Sequence, residues 1–264
     1  MRAEGIYTLT ELQLKVEDAQ PSGHHRSQDV IIVATKLNDI KETSKMLNPM
    51  IAENTVVMSM LNGADSEEIL ASEIGKDHIV HCIILIASRR FEKEVIFDTT
   101  YNTVAYYGAV DITNREYKLK LVEDAFAGTE INFERKEDIV YEIWHKYARN
   151  VCNNLPQTVV CAPSGIYTRS VHGYFIAEKL WQEVRSIARL KGVELEEHVE
   201  LYELNDYTRY STLQDIDNMR RTEVDYLCGY LIKLAKKAGI DVPYIEYTYH
   251  AIKLLEEKND GLFS

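Results

Sequence analysis

VIIVAT, residues 30–35, is a short apolar run built mostly from β-branched side chains. A run without polar alternation suits a strand buried on both faces, as in a parallel sheet covered by helices. The residues around it carry the reading outward. Ile40, Met46, Leu47, Met50 and Ile51 recur at helical spacing across residues 37–53. Thr55–Leu61 (TVVMSML) is the next strand and ends in Asn62-Gly63. Residues 65–75 return to a helical pattern, and Ile79–Ala87 is a third apolar strand. Strands separated by helices of this length predict right-handed βαβ crossovers and a parallel sheet. Past Arg90 the pattern predicts an antiparallel pair, Glu94–Asp98 with Val104–Val110, and then a helix near residues 115–127.

Beyond residue 134 strand patterns stop. No proline occurs between Ser164 and Val242, and apolar residues recur every three or four positions. The spacing predicts helices near 137–155, 172–191, 213–238 and 244–257. In the first, Val140, Ile143, Trp144, Tyr147, Val151 and Leu155 form one stripe. Gly192 and Gly239 stand where C-terminal caps belong. The charged stretch around residues 130–137 reads as a linker. It divides an α/β domain, residues 1–133, from a helical domain, residues 134–264.

Composition narrows the function. Hydrophobic residues make up 45% of the 264 and charged residues 27%, the balance of a globular chain. A net charge of -12 argues against a sequence-independent grip on nucleic acid. The four cysteines form no C-x-x-C pair and read as reduced thiols of a cytoplasmic protein, with no zinc site. The eight histidines form no metal-binding constellation. The first twenty residues lack the apolar core of a signal peptide, and no run approaches the ~18 apolar residues of a membrane span. The 12 glycines are sparse, none closer together than Gly165 and Gly173, so the chain contains no G-x-G-x-x-G and no Walker A loop.

Several residues could carry chemistry. Lys146, Asn150 and Asn154 are spaced by four, which lines them up beside the apolar stripe of their helix. One proton donor and two carboxamides could line a cleft, or be an ordinary polar flank. Glu223 falls inside the apolar stripe Ile216, Met219, Leu227, Leu231, Leu234 of the helix predicted at 213–238. A carboxylate there needs a partner, and Lys146 is a candidate; a structural ion pair is the alternative. Ser211 and Gln214 match a capping box, although a helix N-terminus with a hydroxyl also suits a carboxylate ligand. Lys36 follows the first strand and Asn62-Gly63 the second, where open α/β sheets bind ligands, and where turns are also common.

These residues, taken together, resemble the 2-dehydropantoate 2-reductases (ketopantoate reductases). Ser211–Gly229, STLQDIDNMRRTEVDYLCG, is similar to the family's S-M-L-Q-D…R-x-T-E-I-D-x-x-N-G. Glu142–Asn154, EIWHKYARNVCNN, is similar to its E-x-W-x-K-x-x-x-N-x-x-x-N helix. Val33–Lys36, Leu61–Gly63 and Pro243–Lys253 resemble two strand ends and the closing helix. The resemblance implies an incomplete Rossmann-type parallel sheet, followed by a helical domain resembling the C-terminal type of 6-phosphogluconate dehydrogenase. It implies NADPH-dependent reduction of 2-dehydropantoate to pantoate, in pantothenate and coenzyme A biosynthesis. Lys146 takes the position of the general acid, and Glu223 that of a carboxylate organising substrate, lysine and cofactor. Asn150, Asn154, Ser164 and Ser211 take substrate-binding positions, and Lys36 and Asn62 take positions on the NADP(H) side. The expected partner is a small 2-keto acid, with no nucleic acid and no membrane; a homodimer is left open.

The sequence also departs from the family. Ser164 stands where many members carry asparagine, which opens the reading of a sibling reductase acting on another 2-keto acid. The family's opening strand, G-x-G-x-x-G turn, helix and second strand fall before Met1 in this alignment of motifs. Their loss is expected to leave one edge of the VIIVAT strand unpaired, to remove the pyrophosphate cradle and to weaken NADPH binding. A third reading follows from that: a catalytically impaired family remnant, acting at most as an interaction module.

Overall fold

The computed structural model describes residues 6–9, 29–86, 88–91, 94–98, 104–129, 132–202 and 206–263. Most of the first twenty residues, read above for a signal peptide, lie outside this set. The strands are β1 (Ile6–Leu9), β2 (Val30–Val33), β3 (Val56–Ser59), β4 (Ile79–Leu85), β5 (Ser88–Phe91), β6 (Glu94–Asp98), β7 (Val104–Gly108) and β8 (Asn132–Arg135). The α-helices are α1 (Ile40–Leu47), α2 (Ser66–Ile74), α3 (Arg115–Phe126), α4 (Ile139–Val159), α5 (Gly165–Arg169), α6 (Val171–Ala188), α7 (Ser211–Asp217), α8 (Val224–Leu227), α9 (Gly229–Ala238) and α10 (Pro243–Asn259). None of the described helices is long and apolar enough to cross a membrane. Packing divides the chain into two compact units. One comprises residues up to Leu61 together with Ser66–Ile139; the other comprises Asn62–Asp65 together with Val140 onward.

The first unit holds a five-stranded sheet in the order β2-β3-β4-β7-β8. β2, β3 and β4 run parallel, as the apolar runs predict, with Val30 opposite Val56 and Val57 opposite Ile79. All four residues of β3 are buried, which is why its sequence shows no polar alternation. The core beneath α3 gathers Val56, Met58, Val80, Cys82, Ala105, Tyr107, Leu119 and Val122. Among the described residues β2 is an edge strand, and Ile32 is 45% exposed.

Two expectations fail here. Glu94–Asp98 does not pair with the 104–110 strand. β6 lies between β1 and β5 in a separate antiparallel sheet, whereas β7 pairs antiparallel with β4 and parallel with β8. The charged stretch read as a linker also contains a strand, β8. Its charges are accommodated locally: Arg135 pairs with Glu116 at 2.7 Å, and Phe133 stacks on Phe126 at 3.7 Å between centroids.

His81 sits in β4 opposite Gly108, largely buried, and its Nδ1 has no hydrogen-bond partner among the described residues. Burial pushes its pKa down from 6.5 to about 4. The folded protein therefore keeps a neutral ring at pH values where the unfolded chain takes up a proton. Stability is fully present above pH 6.5 and declines as pH falls through 6.5 towards 4, by about 3 kcal/mol at most. Urea unfolding at pH 7 and pH 4.5 should show a larger acid loss in the wild type than in His81→Phe. Equal losses would remove His81 from the acid sensitivity.

The helical unit is built on α4, whose stripe is buried as its spacing predicts: Trp144, Tyr147, Val151, Cys152 and Leu155 meet Leu180, Trp181 and Val184 of α6, Leu231 of α9 and Ile252 of α10. α4 runs on through Pro156 to Val159. In its last turns Gln157 Nε2 donates to the Asn153 carbonyl and Thr158 Oγ1 to that of Asn154, at 3.2 and 2.7 Å. Gly192 and Gly239 close their helices in the left-handed conformation, with φ of 76° and 69°. Gly173 serves another end: a Cβ there would come within 2.2 Å of the Ile166 carbonyl, so only glycine lets α5 and α6 approach so closely.

The long helix predicted at 213–238 is instead three helices, α7, α8 and α9. Residues 218–223 break it. Met219 turns left-handed with φ of 54°, and the Arg220 amide bonds back to the Asp215 carbonyl at 2.8 Å. Thr222 is drawn away by a carboxylate of α10: its amide and hydroxyl both reach Glu256 Oε1, at 2.8 and 2.7 Å. Apolar periodicity alone does not register such a break, because the stripe resumes in phase beyond it.

Candidate active site

The polar row on α4 is the natural starting point. Lys146 is half-buried, and Asn150 and Asn154 are buried, 8% and 6% exposed. The four-residue spacing therefore sets three polar groups beside a fully apolar stripe. Asn150 Oδ1 accepts a hydrogen bond from the Tyr202 hydroxyl at 3.0 Å. Asn154 Oδ1 is buried and has no hydrogen-bond partner among the described residues. A buried carboxamide oxygen left unpaired costs about 1–3 kcal/mol, so that position favours a ligand that donates a hydrogen bond.

Asn153, one position along, does different work. Its Nδ2 donates to the Arg149 and Glu200 carbonyls at 2.8 and 3.2 Å, and its Oδ1 accepts from the Tyr202 amide at 3.0 Å. The Arg149 guanidinium lies over the Tyr202 ring, 4.2 Å from its centroid. Tyr202 and Tyr210 stand 5.5 Å apart. This aromatic wall is absent from the sequence reading, since the tyrosines lie far down the chain at no recognisable spacing.

Ser164 is buried, and its amide donates to the Thr208 carbonyl at 2.9 Å. Next to it, the Gly165 amide bonds to the Asp206 carbonyl at 2.8 Å. Bonds from Thr168 and Arg169, both at 2.6 Å, hold the Asp206 carboxyl below the usual carboxylate range. Ser211 is exposed and is the first residue of α7; Tyr210 occupies the N-cap position, without a side-chain cap. The predicted capping box does not form, because Gln214 Nε2 turns back to the Arg209 carbonyl at 2.6 Å. The start of α7 is instead tied to α4 by the Tyr210 amide, which donates to Gln157 Oε1 at 3.2 Å.

Glu223 is not inside a helical stripe. It precedes α8 as its N-cap, and its carboxylate is buried, 7% exposed. Asn62 Nδ2 donates to Glu223 Oε2 at 3.4 Å, a contact spanning 161 residues of chain. Two further bonds orient the surroundings. The Tyr147 hydroxyl donates to the Leu227 carbonyl at 2.6 Å, which ties the residue after Lys146 to the helix that Glu223 begins. Thr222, just before Glu223, is held by Glu256. Burial pushes the Glu256 carboxyl up, but bonds from Lys253 and Thr222 outweigh it and hold the group below the usual range.

The structure thus brings Asn62 to Glu223 and sets Asn150 and Asn154 on one face of α4. Lys36 stands in the other unit: exposed, three residues past the end of β2, with its carbonyl accepting the Asp39 amide at 3.0 Å. Chemically, the helical unit offers a lysine, a buried carboxylate, two buried carboxamides and an unpaired acceptor.

Comparison with known proteins matches two family models. Residues 4–111 match "Ketopantoate reductase PanE/ApbA", and residues 138–256 match "Ketopantoate reductase PanE/ApbA C terminal". An uncharacterized oxidoreductase YkpB of Bacillus subtilis is 25% identical over 234 residues, 86% of this chain and 77% of its own. A 2-dehydropantoate 2-reductase of Nostoc is 25% identical over 243 residues, 88% of this chain and 75% of its own. Among solved structures, D-mandelate dehydrogenase with NADH and anilino(oxo)acetate shares the fold, with a TM-score of 0.80 at 19% identity over 92% of this chain and 79% of its own.

Proposed function

Since the chain belongs to the ketopantoate reductase PanE/ApbA family, we propose that it reduces the keto group of 2-dehydropantoate to a hydroxyl, with Lys146 as general acid and NADPH as hydride donor. The observation that carries this reading is the juxtaposition in the helical unit: buried Glu223 against Asn62, and an unpaired Asn154 acceptor on the same helix as Lys146. A keto acid that also bears a hydroxyl supplies the donor which Asn154 Oδ1 lacks.

Lys36, Asn62 and Glu223 are assigned to the side of a nicotinamide cofactor by their places in the motifs that resemble the family, Lys36 and Asn62 following strands β2 and β3. The 264 residues contain no glycine-rich loop for its pyrophosphate, so binding of NADPH by this chain is expected to be weak. The cofactor, when bound, supplies the hydride. The protein's own part is to hold the acid with Asn150, Asn154, Ser164 and Ser211 and to deliver a proton from Lys146 Nζ to the carbonyl oxygen. Negative charge grows on that oxygen, and an ammonium beside it both stabilises and protonates it.

Ser164 favours a second reading, a sibling reductase for another 2-keto acid, because it replaces a longer carboxamide of the resembled family by a hydroxyl. Loss of absorbance at 340 nm, measured at millimolar NADPH with 2-dehydropantoate and with smaller 2-keto acids, tests both. The highest kcat/KM on 2-dehydropantoate supports the first reading, and a preference for another acid moves the assignment to the second. No turnover of any 2-keto acid would overturn the reductase assignment.

A further inference from the structure

The buried carboxylate of Glu256 lies outside the proposed proton-transfer and substrate residues, yet it bonds to the residue next to one of them. Glu256 Oε1 takes both hydrogen-bond donors of Thr222, the amide at 2.8 Å and the hydroxyl at 2.7 Å. Glu256 Oε2 takes Lys253 Nζ at 2.8 Å and Arg221 at 3.5 Å. Its side chain is 2% exposed, so the group is committed to this arrangement. A carboxylate is costly in such a place unless its oxygens are filled, and here both are.

The consequence falls on the backbone. Thr222 is the last residue but one of the six-residue interruption between α7 and α8, a stretch whose apolar spacing would suit a continuous helix. In a continuous helix Glu223 would ride on the apolar stripe. With Thr222 pinned to α10, Glu223 caps α8, its carbonyl accepts the Leu227 amide at 2.9 Å, and its carboxylate meets Asn62. The Thr222 hydroxyl also receives the Val224 amide at 3.3 Å, so a single side chain links α10 to both flanks of Glu223.

We propose that Glu256 is a positioning residue: by holding Thr222 from α10 it sets the backbone that aims the Glu223 carboxylate at Asn62. The proposal rests on the reading of Glu223 as an active-site carboxylate. It assigns Glu256 no contact with substrate or cofactor.

Two substitutions separate positioning from simple support. Glu256→Gln keeps an oxygen for Thr222 but loses the charge facing Lys253 and Arg221. Glu256→Ala loses both. Stability should fall in both variants, because both break the ion pairs. Turnover of the 2-keto acid should follow the acceptor instead: kcat within about threefold of wild type in Gln, and about 10–100-fold lower in Ala, as expected of a misaimed group. The amide of Thr222 should exchange with deuterium faster in Ala and keep its protection in Gln. If kcat falls equally in the two variants, or is unchanged in Ala, the positioning role is overturned. If the wild type reduces no 2-keto acid, the function reading fails, and the exchange measurement still decides the clamp: equal Thr222 protection in wild type and Ala overturns it.

Discussion

Lys146→Ala is expected to lower kcat for reduction of the 2-keto acid by about 10²–10⁴-fold, with KM changed only a few fold. The expectation follows from when the lysine acts. Before hydride arrives, the carbonyl oxygen carries little charge, and in the proposed mechanism binding falls mainly to the carboxamides and hydroxyls assigned to the substrate. As the hydride adds, that oxygen becomes an alkoxide, and only then does a proton at Nζ lower the barrier. Removing the ammonium therefore costs the transition state more than the ground state. Lys146→Arg refines the test. Guanidinium keeps the positive charge but scarcely gives up a proton, so a pure charge effect would leave Arg close to wild type, whereas proton donation leaves it nearly as slow as Ala. Steady-state kinetics on the three proteins, with circular dichroism to check folding, provides the measurement. An unchanged kcat in Lys146→Ala would take the residue out of the acid role.

Trp181→Ala should remove about 3–5 kcal/mol of stability, a large part of the roughly 5–15 kcal/mol that holds most domains together. Trp181 is fully buried among α4, α6 and the segment that follows α6. Its indole meets the His145 ring edge-on at 6.3 Å, and its Nε1 donates to the Glu196 carbonyl at 2.8 Å. Truncation leaves both a cavity and an unanswered carbonyl. Neighbouring bonds tie the same segment down: Arg185 reaches the Leu195 carbonyl at 3.0 Å, and Asn153 reaches that of Glu200. Loss of the tryptophan should therefore loosen the segment that carries Tyr202. Equilibrium urea unfolding measures the change; a loss below about 1 kcal/mol would mean that the site collapses around the cavity.

Why some of this was visible in the sequence is a question of distance along the chain. The parallel strands were legible because burial on both faces erases polar alternation, and β3 is buried throughout. α4 was legible because its apolar stripe keeps the helical period over about four turns and its polar row over about two. Gly192 and Gly239 were legible because left-handed caps favour glycine. The break before Glu223 was not, because its cause is Glu256, 34 residues away, and periodicity carries no information about a partner on another helix. The contact of Glu223 with Asn62 was hidden for a similar reason, since the two residues lie 161 positions apart. β8 was hidden by its charges, which find neighbours only once α3 lies beside it.

The helical unit is not one continuous piece of chain. Asn62–Asp65 cluster with it, although the residues on either side of them belong to the sheet unit. A fragment beginning at Val140 would contain Lys146, Asn150, Asn154 and Glu223 but would lack the carboxamide that Glu223 meets. Swapping this half onto a relative, or expressing the halves as separate polypeptides, therefore separates Glu223 from the Asn62 that it meets. A change at either end of the Asn62–Glu223 contact is felt by a residue encoded 161 positions away.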